Sequence, residues 1–144
     1  MKLNYIDLAT KAQARKIYNW YNDSEISKYF KSPTRTMERV SQILSRENTY
    51  NYLINVGKKD IGYIFITKKE NYCYLTILID KKYWGKSYGK KAMKLIEDKA
   101  KALLINKIVL GLYEENKRAF NLYKGLGYIK TKKEKDVIVM EKKL

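Results

Sequence analysis

The 144-residue sequence contains no histidine, one cysteine and one proline, and these scarcities exclude several kinds of site. Without imidazole there is no Ser-His-Asp or Cys-His nucleophile and no zinc site built on histidine. The single thiol, Cys73, allows neither an internal disulfide nor a thiolate metal cluster. Its tyrosine-rich neighbours indicate a strand in which the thiol lies half-buried and inert. We therefore expect no bound metal.

Long apolar runs are also missing. No stretch approaches the roughly 20 residues that span a bilayer, and residues 1–7 lack the apolar core of a signal peptide. We expect a cytoplasmic protein with no membrane partner. At 45% hydrophobic residues the chain is too apolar for intrinsic disorder, and its length fits one domain over residues 1–144.

Acidic residues are few relative to basic ones: 15 Asp+Glu stand against 31 Lys+Arg, a formal charge of +16. This charge attracts anionic ligands. Most of it is lysine, whereas proteins that read DNA grooves depend on the planar fork of arginine. Nucleic acid is therefore disfavoured as a partner.

Hydrophobic periodicity predicts an α/β (α+β) fold with a mixed, mostly antiparallel sheet flanked by helices. Strands are predicted at residues 3–8, 50–56, 61–67, 72–80, 108–112, 128–132 and 137–140. Helices are predicted from Thr10 to about Asn22, from Thr36, after a loop that ends at Gly89, and from Asn116 to Leu126. Thr10 and Thr36 are suitable N-caps, Gly127 suits a helix end, and Pro33 falls in a loop.

The segment Ile79–Ala92 combines the end of a strand, a loop of small residues and the start of a helix. That arrangement directs free backbone N–H groups and the positive end of a helix at one point, which suits a phosphate or pyrophosphate. Gly85 and Gly89 permit close approach and unusual φ, and Lys86 and Lys90 add positive charge. The alternative is an ordinary strand-to-helix turn with solvated lysines.

A second segment, residues 116–128, fits the pattern N-x-x-(A/S)-x-x-x-Y-x-x-x-G-(F/Y) at Asn116, Ala119, Tyr123, Gly127 and Tyr128. With this segment the chain resembles the GNAT superfamily of acetyl-CoA-dependent N-acetyltransferases over essentially its whole length. Residues 20–26 also resemble the subgroup that contains the ribosomal-protein N-terminal acetyltransferases.

The resemblance implies a sheet of six to seven strands with about four helices, in which two central strands splay apart near Asp80 and Leu112. It implies that acetyl-CoA is the cosubstrate and that an amine is the acceptor. The pyrophosphate would bind the loop and first helical turn, at Trp84, Gly85, Lys86, Ser87, Tyr88, Gly89 and Lys90.

The resemblance also assigns roles along the thioester arm. Amides around Leu78 and Ile79 would face the carbonyl oxygen as it gains charge. Asn116 would contact the CoA arm, and Tyr123 would protonate the leaving thiolate, because a phenol holds its proton at neutral pH. For Tyr123 the alternative is ordinary core packing.

Two positions of the loop depart from the family pattern Q/R-x-x-G-x-G/A. Trp84 stands where the family has Gln or Arg, and Ser87 replaces the first glycine. We expect a functional loop with altered geometry. Ser87 can still offer its N–H, and a hydroxyl besides, provided that its φ is negative.

No general base is evident. Tyr74 occupies the position where many relatives have a glutamate, so the candidates are a water chain or the carboxylates Asp23, Glu25, Glu114 and Glu115. The overall basicity disfavours polyamines and aminoglycosides and favours anionic acceptors such as nucleotide-linked amino sugars, while a peptide N-terminus stays open.

Two other functions are compatible with the composition: a basic nucleic-acid-binding α/β domain that uses lysines and tyrosines, and a pseudoenzyme that binds acyl-CoA. An exposed sheet edge at the final hairpin would allow a homodimer.

Overall fold

The computed structural model describes residues 1–6, 10–29 and 36–144. In this part of the chain seven strands form one sheet: β1 Lys2–Tyr5, β2 Thr49–Val56, β3 Lys59–Lys69, β4 Tyr72–Ile79, β5 Lys107–Tyr113, β6 Ile129–Glu134 and β7 Val137–Lys143. The strand order is β1-β2-β3-β4-β5-β7-β6, and only β4 and β5 pair in parallel. The mixed, mostly antiparallel sheet is confirmed. The predicted end of the first strand at Leu8, and Pro33, lie outside the described residues.

Four long helices and one short one accompany the sheet in the described ranges: α1 Lys11–Tyr21, α2 Ser24–Ser27, α3 Met37–Ser45, α4 Tyr88–Ala102 and α5 Lys117–Gly125. The Thr10 hydroxyl accepts from the Gln13 N–H while the Gln13 side chain accepts from the Thr10 N–H, which closes a capping box. Thr36 caps α3 by accepting from the Arg39 N–H. Both predicted N-caps are therefore confirmed.

Helices cover the two faces of the sheet with separate cores. On one face, here the α1 face, helices α1 to α3 pack against Leu53, Tyr63, Phe65 and Leu78. On the other, the α4 face, α4 and α5 pack against side chains from the whole width of the sheet, among them Ile64, Leu75, Ile108 and Met140. Because side chains alternate along a strand, neighbouring residues of β4 belong to different faces.

Cys73 lies on the α4 face of β4 and is fully buried, not half-buried as the sequence suggested. Burial raises the pKa of its thiol to about 12. A thiol in this state is an inert core group. β4 ends one residue earlier than predicted, at Ile79, because Asp80 caps a short 3₁₀ turn, Lys81–Tyr83, by accepting from the Lys82 N–H.

The last hairpin places β7 between β5 and β6, so that β6 forms one edge of the sheet and is exposed along its length. Gly127 follows α5 with φ of +96°, the conformation predicted for the residue after a helix end. A homodimer through the β6 edge stays a prediction. Among the described helices, none is long and apolar enough to cross a membrane.

Candidate active site

The parallel strands β4 and β5 separate along their length. They pair only from Tyr72 to Tyr74 and from Lys107 to Val109. Beyond that point β4 stays paired with β3, and β5 stays paired with β7. The two strands therefore diverge and leave a wedge-shaped cleft of about 710 Å³ between them.

The cleft is lined from both faces of the sheet. Its α4 mouth, the opening on the α4 face, is lined by residues from the start of α4 and from α5 with its N-cap, among them Tyr88, Gly89, Asn116, Leu122 and Tyr123. Its α1 mouth, on the α1 face, is lined by Ile26, Tyr29, Thr76, Leu78, Gly111, Tyr113 and Val137. The sheet thus offers two openings onto one space.

Backbone alternation decides which amides of β4 face the cleft. The Asp80 N–H donates to the Ile61 carbonyl at 2.8 Å, so the N–H of Leu78 also faces β3, opposite Tyr63. The N–H groups of Ile77 and Ile79 consequently point toward the diverging β5. Of the two residues named from the sequence, Ile79 directs its amide into the cleft, while Leu78 lines it with its side chain. Ile77 was not named from the sequence. The direction of its N–H follows from the alternation along β4 once the bond from Asp80 to Ile61 is known.

Trp84 ties the loop after β4 back to the strand. Its indole N–H donates to the Ile79 carbonyl at 2.8 Å, and its ring packs against the core of the α1 face. The Arg118 guanidinium, which also lines the cleft, lies 5.1 Å from the centroid of the indole. Trp84 therefore holds the loop against the end of β4. Its uncharged indole also forms part of the cleft lining.

The backbone of the loop departs from the sequence prediction at Ser87. Ser87 has φ of +63° and stands at the N-cap of α4, where its side chain makes no cap bond. The condition of negative φ is therefore not met: the serine adopts the left-handed conformation at the position where the family pattern has glycine. As a result α4 begins at Tyr88, earlier than predicted.

The two loop glycines have different functions. Gly85 has φ of +76°, which explains the glycine there. Gly89 lies inside the first turn of α4 and provides clearance, since a Cβ would meet Leu122 Cδ2 at 3.3 Å and Ile79 Cδ1 at 3.6 Å. Its expected unusual φ is wrong.

Two lysines were expected to accompany the glycines at this loop. Lys90 lines the cleft, whereas the Lys86 ammonium lies 5.9 Å from the Tyr83 ring, and Lys86 is outside the lining.

Asn116 and Tyr123 lie on α5 at the α4 mouth. Asn116 caps the helix, and its Oδ1 accepts from the Ala119 N–H at 3.2 Å. Tyr123 is buried and lines the cleft, and burial raises the pKa of its phenol to about 12. Its ring centroid lies 5.8 Å from that of Tyr128. Both residues named from the motif therefore border the same space as the start of α4.

The candidate carboxylate bases lie elsewhere. The hydrogen bond from Lys28, helped by the charge of Lys81, lowers the pKa of Glu25 and makes it a weaker base. Asp23 is used as the N-cap of α2. Neither side chain is among the cleft-lining residues.

The other positions considered for the base are also outside the lining. Glu114 forms an ion pair with Lys133 at 2.7 Å, and Glu115 is exposed. Tyr74 is 48% exposed and packs edge-on against Tyr72. Of the residues that line the cleft in the described chain, Lys90 and Arg118 carry charge, and both are cations.

Comparison with known proteins supports this geometry. No curated protein matches the sequence. A domain from Methanocaldococcus jannaschii shares the fold with a TM-score of 0.84 at 23% identity, over 99% of this chain and 100% of that one. Spermidine N-acetyltransferase from Vibrio cholerae, solved with CoA and spermine, has a TM-score of 0.84 at 18% identity, over 99% and 94%.

An aminoglycoside acetyltransferase solved with coenzyme A gives a TM-score of 0.81 at 17% identity, over 99% of this chain and 95% of that one. The model of the acetyltransferase (GNAT) family matches residues 14–128, which include α1, the diverging strands, the loop before α4 and α5. The chain therefore belongs to the GNAT family of acetyltransferases.

Proposed function

We propose that residues 1–144 work as one N-acetyltransferase domain, which moves an acetyl group from acetyl-CoA directly to an acceptor amine. The observation that carries the proposal is the wedge between β4 and β5, with the amide end of α4 at one mouth and β4 amides directed into it. The related structures solved with CoA or spermine support the same reading. The kinship with the ribosomal-protein subgroup remains a prediction from residues 20–26.

The start of α4 suits the pyrophosphate of acetyl-CoA. The first N–H groups of a helix have no partner within the helix, and those of Tyr88, Gly89 and Lys90 border the cleft. Lys90 adds positive charge at the start of α4, and Arg118, over the Trp84 ring, adds a second cation to the lining of the cleft. The missing Cβ at Gly89 lets the helix start lie against Ile79 and Leu122 without a gap.

The amides of Ile77 and Ile79 suit the thioester. A donor fixed in a strand needs no reorganisation when a carbonyl oxygen gains negative charge, so it stabilises the transition state more than the ground state. Ile79 is the better placed of the two for this role, because the Trp84 indole donates to its carbonyl at 2.8 Å and so restrains the peptide group that directly follows this amide.

Tyr123 would be the general acid. Because burial raises the pKa of its phenol to about 12, the group stays protonated at neutral pH. It therefore donates a hydrogen bond to the sulfur as negative charge develops there, and transfers the proton as the C–S bond breaks. The same burial excludes water from the leaving group.

Isothermal titration with acetyl-CoA tests the binding half of the proposal, and release of free thiol across a set of amines tests the catalytic half. Lys90→Glu should weaken binding at least tenfold. Lys101→Glu makes the same change of charge at the far, exposed end of α4 and should leave the affinity within twofold.

The outcomes separate the alternatives. Absence of heat, combined with a salt-dependent shift of a labelled oligonucleotide, would replace the enzyme with a nucleic-acid-binding domain. Heat without thiol release from any amine would identify a pseudoenzyme that only binds acyl-CoA.

A further inference from the structure

The α1 mouth of the cleft carries an inference about the acceptor, and it rests on the proposed N-acetyltransferase function. We propose that the acceptor is a weakly basic primary amine of the α-amino type, borne on an apolar or aromatic body with no second positive charge.

The wall of the α1 mouth is apolar and hydroxylic. Ile26 and Tyr29 approach from the end of α2, and the strands contribute Thr76, Leu78, Gly111, Tyr113 and Val137. Aromatic and aliphatic side chains of this kind bind an apolar body.

Two carboxylates that adjoin lining residues in the sequence, Glu25 beside Ile26 and Asp80 beside Ile79, already have partners. Glu25 accepts from Lys28 at 3.0 Å, and Lys81 lies 3.7 Å away. The Asp80 carboxylate accepts from the Trp20 indole at 3.2 Å and from the Lys82 N–H at 3.0 Å. A polycation that entered by this mouth would lose its hydration, and the described lining residues offer no carboxylate to pair with its additional ammonium groups.

The protonation state of the amine points the same way. Attack on the thioester needs a neutral nitrogen, and the described lining residues hold no carboxylate to remove a proton from an ammonium ion. At pH 7.5 an α-amine with a pKa near 7.8 is about one-third neutral, whereas a lysine-type amine near 10.4 is about 0.1% neutral, a difference of roughly 250-fold.

The reaction balances without a further co-reactant. The amine nitrogen forms the C–N bond while the C–S bond breaks, and the thiolate takes the phenol proton of Tyr123. The nitrogen then releases one proton through water, and the Tyr123 phenolate recovers it. A weakly basic amine suits this scheme because it arrives neutral.

Steady-state kinetics with two acceptors test the inference: the dipeptide amide Ala-Phe-NH₂ and spermidine, each followed by free thiol from pH 6.5 to 9.5. At pH 7.5 the dipeptide amide should have a kcat/KM at least 100-fold higher. Its kcat/KM should rise with pH through a single ionisation at the pKa of the dipeptide itself. Preference for spermidine, or an additional ionisation between pH 5 and 7 that does not follow the acceptor, would overturn the inference.

Two variants of β4 provide a matched comparison. Thr76 and Tyr74 share the α1 face of the strand, but Thr76 lines the cleft whereas Tyr74 is exposed outside it. Thr76→Glu should raise kcat/KM for spermidine at least tenfold and lower it for the dipeptide amide, while Tyr74→Glu should change neither by more than twofold. No gain from Thr76→Glu, with acetyl-CoA affinity retained, or an equal gain from Tyr74→Glu, contradicts the assignment.

The wild-type pH profile does not depend on either variant folding. If acetyl-CoA binds and thiol is released but spermidine is the better acceptor, only the acceptor class is wrong. If no amine releases thiol, the proposed function fails and the acceptor class fails with it.

Discussion

The indole N–H of Trp84 donates to the backbone carbonyl of Ile79 at 2.8 Å, five residues earlier in the chain. The other indole, of Trp20, donates to the carboxylate of the next residue, Asp80, at 3.2 Å. Two tryptophans from different parts of the chain therefore hold consecutive residues at the end of β4, where the strand leaves the sheet and the α4 loop begins.

Trp84→Phe should weaken acetyl-CoA binding about fivefold and lower the free energy of unfolding by about 1 kcal/mol, because the ring under Arg118 remains but the hydrogen bond to Ile79 is lost. Titration calorimetry and urea unfolding measure the two effects. Trp20→Phe, on α1 and outside the cleft lining, should lower stability similarly and leave the affinity within twofold. Unchanged affinity of Trp84→Phe for acetyl-CoA would show that the bond to Ile79 does not contribute to binding.

Ser87→Gly should stabilise the protein by about 0.5–1 kcal/mol, because glycine adopts the left-handed backbone at +63° without the strain that serine has there. Acetyl-CoA affinity should stay the same or increase. Thermal unfolding is the measurement, and Glu70→Gly is the matched control: Glu70 has φ of +46° in the turn between β3 and β4, so its replacement should stabilise the fold without altering affinity. A destabilised Ser87→Gly variant would contradict the strain argument.

Tyr123→Phe should lower kcat by about 100-fold or more, because the thiolate then leaves without a proton donor, and should keep acetyl-CoA affinity within threefold. Pre-steady-state thiol release and calorimetry separate the two quantities. Tyr128→Phe is the control, since Tyr128 is buried beside Tyr123 but is not among the cleft-lining residues. Equal losses of kcat in the two variants would show that Tyr123 only packs in the core.

The ion pair between the buried Glu97 carboxylate and the half-buried Lys142 ammonium, with Nζ–Oε distances of 2.9 and 3.0 Å, joins α4 to β7. Lys142→Met should lower the free energy of unfolding by about 3 kcal/mol, because it leaves a buried carboxylate without its cation. Adding Glu97→Gln should recover more than half of that loss. Chemical denaturation of the two single variants and the double variant measures the coupling, and strictly additive losses would show that the pair does not stabilise the fold.

Alkaline pH should destabilise the protein from about pH 9 upward. The folded state holds the Cys73 proton up to a pKa of about 12, whereas the unfolded chain releases it near 8.5. The stabilisation is complete below the unfolded pKa and declines as pH rises, by up to about 1.4 kcal/mol per pH unit for this one proton. Urea unfolding between pH 8 and 10 measures the slope, which Cys73→Ala should reduce. A thiol reagent should react with Cys73 only after unfolding.

Much of the fold could be predicted from the sequence because its signals are local. The capping box at Thr10 and Gln13, the cap at Thr36 and the αL position at Gly127 each depend on a few neighbouring residues. The errors occurred at the boundaries of strands and helices, where the conformation of a single residue decides where the element begins or ends. Asp80 ended β4 one residue early by capping the next turn, and Ser87 started α4 early by adopting positive φ.

The candidate site could be predicted only in part. The sequence identified the loop before α4 and the motif residues Asn116 and Tyr123, which border one cleft. It did not separate Ile79 from Leu78 as the amide donor, since that choice depends on which strand each N–H faces. It also left Glu114 and Glu25 as candidate bases. Glu114 pairs with Lys133 of β6, and Glu25 pairs with the nearby Lys28 and, at 3.7 Å, with Lys81 of the turn after β4.

The order of helices and strands, their caps and the family pattern around Tyr123 are written in the chain itself, because each depends on residues a few positions apart. The point where β4 and β5 part, the bond from the Trp20 indole to Asp80 and the uncharged wall of the α1 mouth arise only when distant segments pack together. Contacts between residues remote in sequence leave no local pattern to read, so tertiary structure alone decided which side chains share the cleft.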